Sequence, residues 1–274
     1  MEILRYRAFT TDDETSGNPA GVVIDAEALD EPAMLAIAAD LGFSETAFLT
    51  AISPDAARVR YFTPRAEIAF CGHATIASGV ALARVRDAGP VVTLTTNVGP
   101  VPVEVTTEQA TLVAPRTTVE DLTGALLDDV LRVLRLDRTD LDPAHPAALV
   151  HGGNLHPLVV VRPGVLARLD HDGDAMLALQ DAHGWDGTVP VVERLDTTRF
   201  ASRNPFPRGG IREDPATGSA AAGLGEYLRA GGHIDAPTTI RVDQGKETGH
   251  PSRLRVDIPT SGRIRVTGAA APLA

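Results

Sequence analysis

The sequence predicts an α+β protein in which one arrangement, strands around a buried helix, occurs twice. Three observations predict it. The apolar residues are mostly Ala, Val and Leu, with aromatics at only 4%. Such small and β-branched side chains favour strands and tightly packed helices. Two helical segments, residues 72–86 and 219–229, consist largely of Ala, Gly and Ser among a few aliphatics. Helices with small side chains all round are expected where backbones must come close on every side. Each segment has a glycine at its start, Gly72 and Gly218, and both lie between strands; the residues that follow these glycines, His73 and Ser219, stand 146 positions apart. The symmetry is one of architecture, without a residue-level repeat.

The elements follow in order. Residues 1–9 alternate apolar and polar and read as a strand, and Ser16-Gly17-Asn18-Pro19 is a turn into a second strand at 20–24. Residues 31–41 carry Met34, Leu35, Ile37, Ala38 and Leu41 at helical spacing, with Gly42 as a stop. Strands are expected at 43–49 and 57–62, then the helix at 72–86, then strands at 91–94 and 101–106. Residues 118–136 read as one helix through Leu122, Leu126, Leu127, Val130, Leu131 and Leu134. Residues 149–161 read as one strand, followed by a helix near 174–184 and strands at 187–194 and 199–206. The second small-residue helix runs to Arg229, and strands at 239–244, 252–258 and 263–266 complete the set. The natural division falls near residues 115–119. It gives a lobe of residues 1–116 carrying Glu45 and His73 and a lobe of residues 117–274 carrying Asp214 and Ser219, with the last strands free to return to the first lobe.

Bulk properties exclude several classes. The chain has 274 residues, comfortable for two lobes. A net charge of −11 with no basic run disfavours nucleic acid. Lys246 is the sole lysine and sits in a polar loop, which argues against a Schiff-base mechanism. One cysteine, Cys71, permits no internal disulfide and fits a reducing compartment. The first residues lack the pattern of a signal peptide, and no run of about 18 apolar residues occurs. A cytoplasmic protein without membrane partners is expected.

Four kinds of residue could carry chemistry. Cys71-Gly72-His73-Ala74 and Thr217-Gly218-Ser219-Ala220 each place a glycine at a helix start, where unpaired N–H groups and the positive dipole end favour an anion. Two such ends facing each other would hold a carboxylate from both sides. Ordinary capping by Ser219 or Asp214 is the plainer alternative. Glu45 sits in the apolar segment Phe43-Ser44-Glu45-Thr46-Ala47-Phe48-Leu49. Burial there would raise its pKa toward neutrality, where a carboxyl both gives and takes protons, whereas an outward-facing strand position would leave it ordinary. His73 could polarise a substrate or only make a structural hydrogen bond. Asp214 could orient an amine or hydroxyl or only cap a helix. His145, His151 and His156 do not have metal-ligand spacing, and no nucleotide-binding or serine-hydrolase motif occurs, so no metal and no cofactor are expected.

Together these segments resemble the PhzF family, the isomerases of phenazine biosynthesis. The matching stretches are Gly17–Val22, Ser44–Phe48, Arg60–Pro64, Glu67 with Cys71–Thr75, Glu213–Ala220, and Gln244-Gly245 with Pro251-Ser252. The resemblance implies a diaminopimelate-epimerase-like fold. In it, two similar lobes each wrap a curved, mostly antiparallel sheet around a central helix, and the active site lies between them. It implies Glu45 as the proton-relaying acid/base, His73 and Asp214 as groups that hold and polarise the substrate, and Gly72, Gly218 and Ser219 as carboxylate-binding groups. Asn18 is implied as a pocket residue. It further implies a homodimer and a small unsaturated cyclic or conjugated amino or hydroxy acid of secondary metabolism, such as antibiotic biosynthesis, as substrate. Related racemases use two cysteines, and here the second helix opens with Thr217 instead. A racemase using Glu45 with Cys71, and a non-catalytic scaffold that binds a small acid, are the competing expectations. Arg212, Ala221, Ala222 and His250 depart from the family pattern and are expected to reshape the pocket.

Overall fold

The computed structural model describes residues 1–86 and 88–273. The first half contains β1 (Glu2–Ala8), β2 (Asn18–Ile24), α1 (Glu31–Leu41), β3 (Glu45–Thr50), β4 (Ala56–Phe62), β5 (Glu67–Ile68), α2 (Gly72–Val85), β6 (Val91–Thr96), β7 (Gly99–Val105) and β8 (Gln109–Val113). The second contains β9 (Thr118–Asp121), α3 (Gly124–Val133), β10 (Ala148–His151), β11 (Leu155–Val161), α4 (Gly173–His183), β12 (Val191–Arg194) and β13 (Arg199–Pro205). It ends with β14 (Glu213–Asp214), α5 (Gly218–Ala230), β15 (Thr238–Gln244), β16 (Ser252–Ile258) and β17 (Arg265–Pro272).

The strand pairings make the internal symmetry explicit. In the first half β2 pairs parallel with β3 across the α1 crossover, and β4 pairs parallel with β6 across α2. In the second half β11 pairs parallel with β12 across α4, and β13 with β15 across α5. The remaining named pairings are antiparallel. The short strands β5 and β14 each precede a central helix and pair with β4 and β13 respectively. Thus β3 corresponds to β12, and the start of α2 to the start of α5. The expected two-lobed α+β architecture is what the chain adopts.

β17 joins the halves. It pairs with β8 along one edge and with β16 and then β1 along the other. With it, β1, β2, β3, β4, β6, β7, β8 and β17 form a closed ring of pairings around α2. Closure explains the composition of α2, which is buried from Gly72 through Leu82. A Cβ on Gly79 would lie 2.9 Å from Val105 Cγ1, so a larger residue would push the ring open. In α5, a Cβ on Gly223 would lie 2.6 Å from Val150 Cγ2. Small residues are therefore the condition for a sheet to curl this tightly on a helix.

Two expected elements differ. Residues 118–136 are not one helix. Thr118–Asp121 is β9, paired antiparallel with β10. The β-branched run Thr117-Thr118-Val119 fits a strand, and Gly124 at φ +62 lies outside the α-helical region, so the helix begins only there. Residues 149–161 are not one strand but the hairpin β10–β11, with His151 opposite Leu155. Gly153, at φ +117, makes the turn possible. By contrast α1 matches its expectation at both ends. Asp30 caps Ala33 N at 2.9 Å, and Gly42 closes the helix at φ +67.

Candidate active site

The two central helices point their N-termini at each other. A Cβ built on Gly72 would lie 2.9 Å from Gly218 Cα and 3.2 Å from Ser219 N, so the backbones touch where the lobes meet. Beside this contact is a small chamber of about 30 Å³, lined by Glu45, Cys71, Gly72, His73, Asp214, Gly218 and Ser219 among others. Six of the seven expected site residues line it.

Glu45 is the first residue of β3, opposite Ala20 of β2. The αL turn at Gly42 ends α1 and leaves room for only Phe43 and Ser44 before the strand, which carries the carboxyl inward. It is 4% exposed, and Oε2 has no hydrogen-bond partner. His73 Nε2 lies 3.4 Å from Oε2, outside hydrogen-bond geometry. Burial, then the negative charge of Asp214, pushes the Glu45 pKa up to about 8. Burial holds His73 down to about 3, so its imidazole is neutral. Its Nδ1 faces Cys71 Sγ at 3.3 Å. Burial, followed by the Glu45 charge, raises the Cys71 thiol well above its ordinary value.

Asp214 is held from several sides. Its Oδ1 accepts from Asn18 Nδ2 at 2.7 Å and its Oδ2 from Thr217 Oγ1 at 2.6 Å. Gln244 Nε2 donates to its backbone carbonyl at 2.7 Å. Burial raises its pKa to about 6 against the pull of these hydrogen bonds. Its neighbour Glu213 anchors the short strand. Arg203 forks onto Glu213 through Nε–Oε2 at 3.0 Å and Nη2–Oε1 at 2.5 Å. His171 Nε2 is 3.6 Å away, too long for a hydrogen bond, so the guanidinium is the principal partner. Burial opposes ionisation of Glu213, yet these partners hold its pKa at about 2. Arg203→Ala would strand that carboxylate and is expected to destabilise the fold by about 3–5 kcal/mol, read as a lower denaturant midpoint.

Asn18 is placed differently from its expectation. It does not line the chamber. It donates to Asp214 and to the Ala216 carbonyl at 3.1 Å and borders a second, larger cavity behind them. The departures from the family pattern also lie outside the chamber. Arg212 pairs with Asp170 at 2.6 Å on the surface, Ala221 and Ala222 are buried within α5, and His250 borders the second cavity. They cannot reshape the chamber by direct contact.

Sequence reasoning missed Phe70, Phe206, Asn154, His156 and Thr188, which complete the chamber wall. In the sequence His156 is one of three histidines without metal-ligand spacing. Its partner Ser219, at 3.0 Å, is 63 positions away, and nothing local signals that pairing. One donor set was also missed. Ligand atoms of Glu45, Cys71 and His73 all lie within 4.8 Å of one another and could face a cation. With both acids held protonated by burial, a cation there would have to displace two protons.

With this geometry in place, the comparisons are consistent with one another. The family model for "Phenazine biosynthesis-like protein", PhzC-PhzF, matches residues 6–274. The "Uncharacterized isomerase YddE" of Salmonella typhimurium is 31% identical over 94% of this chain and 90% of its own length. The trans-2,3-dihydro-3-hydroxyanthranilate isomerase of Pseudomonas chlororaphis is 30% identical over 87% of this chain and 84% of its own. The crystal structure of the Bacillus anthracis phenazine biosynthesis protein of the PhzF family superposes with a TM-score of 0.85 at 26% identity. That alignment covers 100% of this chain and 98% of that one. Among the described residues no helix is long and apolar enough to cross a membrane. The chain belongs to the PhzC-PhzF, phenazine biosynthesis-like family and is a PhzF-like isomerase.

Proposed function

We propose that this isomerase moves a proton between two carbons of a small unsaturated cyclic or conjugated amino or hydroxy carboxylic acid, without a cofactor, with Glu45 as the acid/base. The observation that carries the reading is the Glu45 carboxyl, buried, unpartnered at Oε2 and facing the chamber where two helix N-termini meet. A carboxyl whose pKa is raised to about 8 is near the best compromise between accepting and returning a proton at neutral pH.

In this reading the substrate carboxylate docks against the N–H groups at the tips of α2 and α5, where the dipoles favour negative charge. Asp214 and the neutral His73 orient its amine or hydroxyl. The ionised fraction of Glu45 takes a proton from one carbon as the double bond shifts, and the carboxyl, after exchanging its proton with solvent, protonates another carbon, so there is no net oxidation or reduction. The name of the Pseudomonas chlororaphis relative supplies the first candidate, a trans-2,3-dihydro-3-hydroxyanthranilate, and a role in secondary metabolism is part of this proposal. The racemase alternative fares worse, because burial holds Cys71 as a thiol and Thr217 stands at the second cysteine position.

The test is incubation in D₂O with that acid and with unsaturated cyclic amino acids of similar size. The expected result is enzyme-dependent product whose newly protonated carbon carries solvent deuterium. Absence of both product and exchange across the panel would overturn the reading.

A further inference from the structure

The polar groups behind Ser219 form a chain that ends in the chamber. Ser202 Oγ donates to Asn204 Oδ1 at 2.5 Å, and Asn204 Nδ2 donates to Thr188 Oγ1 at 3.1 Å. His156 Nδ1 lies 3.1 Å from the Thr188 carbonyl oxygen and 3.1 Å from Thr188 Oγ1, while its Nε2 lies 3.0 Å from Ser219 Oγ. A carbonyl oxygen only accepts, so Nδ1 carries the proton. Nε2 is then a bare acceptor, and the Ser219 hydroxyl donates to it. The ring has no freedom to do otherwise. It is 1% exposed, and a Cβ on Gly187 would lie 2.4 Å from its Nδ1 and Cε1. Gln180 Nε2 in turn holds the Gly187 carbonyl at 2.7 Å.

We infer that His156 is a positioning residue that spends the hydroxyl proton of Ser219, so that Ser219 Oγ offers only lone pairs to the chamber and selects a substrate hydrogen-bond donor, an amine or hydroxyl, at that point. The inference rests on the proposed acid substrate and refines it. The carboxylate is left to the backbone N–H groups of the helix tips, rather than to the Ser219 hydroxyl. Turning that hydroxyl toward a carboxylate would orphan the buried Nε2, a cost that binding would have to bear. Burial keeps the imidazole neutral at about 4, consistent with an acceptor at Nε2.

Two measurements test this. Imidazole ¹⁵N–¹H correlation spectra of the free protein are expected to show His156 as the Nδ1–H tautomer, and the Nε2–H tautomer overturns the inference whatever ligands do. Calorimetry then compares anthranilate, which has an amine beside its carboxylate, with phthalate, which has a second carboxylate there. The native protein is expected to prefer anthranilate by about tenfold. His156→Phe keeps the ring but frees the hydroxyl, and should narrow the preference to about threefold or less. Should that variant fail to fold, Ser219→Ala serves: it should weaken anthranilate about tenfold and leave phthalate nearly unchanged. Equal weakening of both ligands would mark a merely structural role and overturn the inference. If the native protein binds neither ligand yet shows the Nδ1–H tautomer, the unsaturated cyclic acid class proposed above fails while the assignment of His156 as the group that holds the Ser219 hydroxyl stands.

Discussion

Glu45→Gln is expected to lower turnover by about 10²–10⁴-fold, the usual contribution of a positioned acid/base, and to remove solvent deuterium uptake with it. Glutamine keeps the shape and can still accept or donate a hydrogen bond, but it cannot carry the proton. Binding of a product-like acid should survive, because the helix tips that grip it are unchanged. A variant with native turnover and native deuterium uptake would take Glu45 out of the reaction.

The same substitution carries a stability signature of opposite sign. The Glu45 pKa in the folded protein is about 8, above its unfolded value of 4.5. The folded state therefore binds the extra proton between these values. The stabilisation this gives is complete below the unfolded pKa and is lost as pH rises through the folded one. Glu45→Gln escapes that loss. Its melting temperature relative to the native protein should rise steadily from pH 5 to pH 8, and a difference flat with pH would show that the carboxyl is not held protonated. A gain in stability coupled to lost activity is the usual mark of a residue kept for chemistry.

The second large effect is expected at Gly72. A methyl there meets Gly218 Cα at 2.9 Å and Ser219 N at 3.2 Å, and both atoms are backbone, unable to swing aside. Gly72→Ala must therefore part the helix tips. Overpacking of this kind costs about 1–3 kcal/mol. The catalytic loss should be larger in proportion, about 10²-fold in kcat/KM, because a displacement near 1 Å misaligns the groups around the substrate. Gly218→Ala, whose methyl would lie 3.2 Å from Gly72 Cα, should do less harm. Kinetics and thermal melts of the two variants check this order, and equal, small losses would contradict the tight meeting of the tips.

Much of this was legible in the sequence where the cause is local. The capped helix α1 and the glycine openings of α2 and α5 depend on neighbours a few positions away. What escaped depends on distance. The leucine pattern over residues 118–136 fits a helix, but β9 exists because β10 offers it a hydrogen-bonding edge. Glu45 could equally have faced outward on a strand of alternating sides. Its burial follows from the curl of the sheet around α2, which no local spacing records. Asn18 supports Asp214 from 196 positions away, and that register is set by the meeting of the halves.

The part played by β17 sets the order in which the protein can be made. Residues 265–272 supply the eighth member of a ring whose other seven strands lie before residue 114. While the ribosome is still delivering the second half, the first is an unclosed sheet with β1 and β8 bare at its rims. Such rims invite pairing with other chains, and the contact that seals them spans nearly the whole polypeptide, a slow kind to form. The lobe translated first is thus completed last.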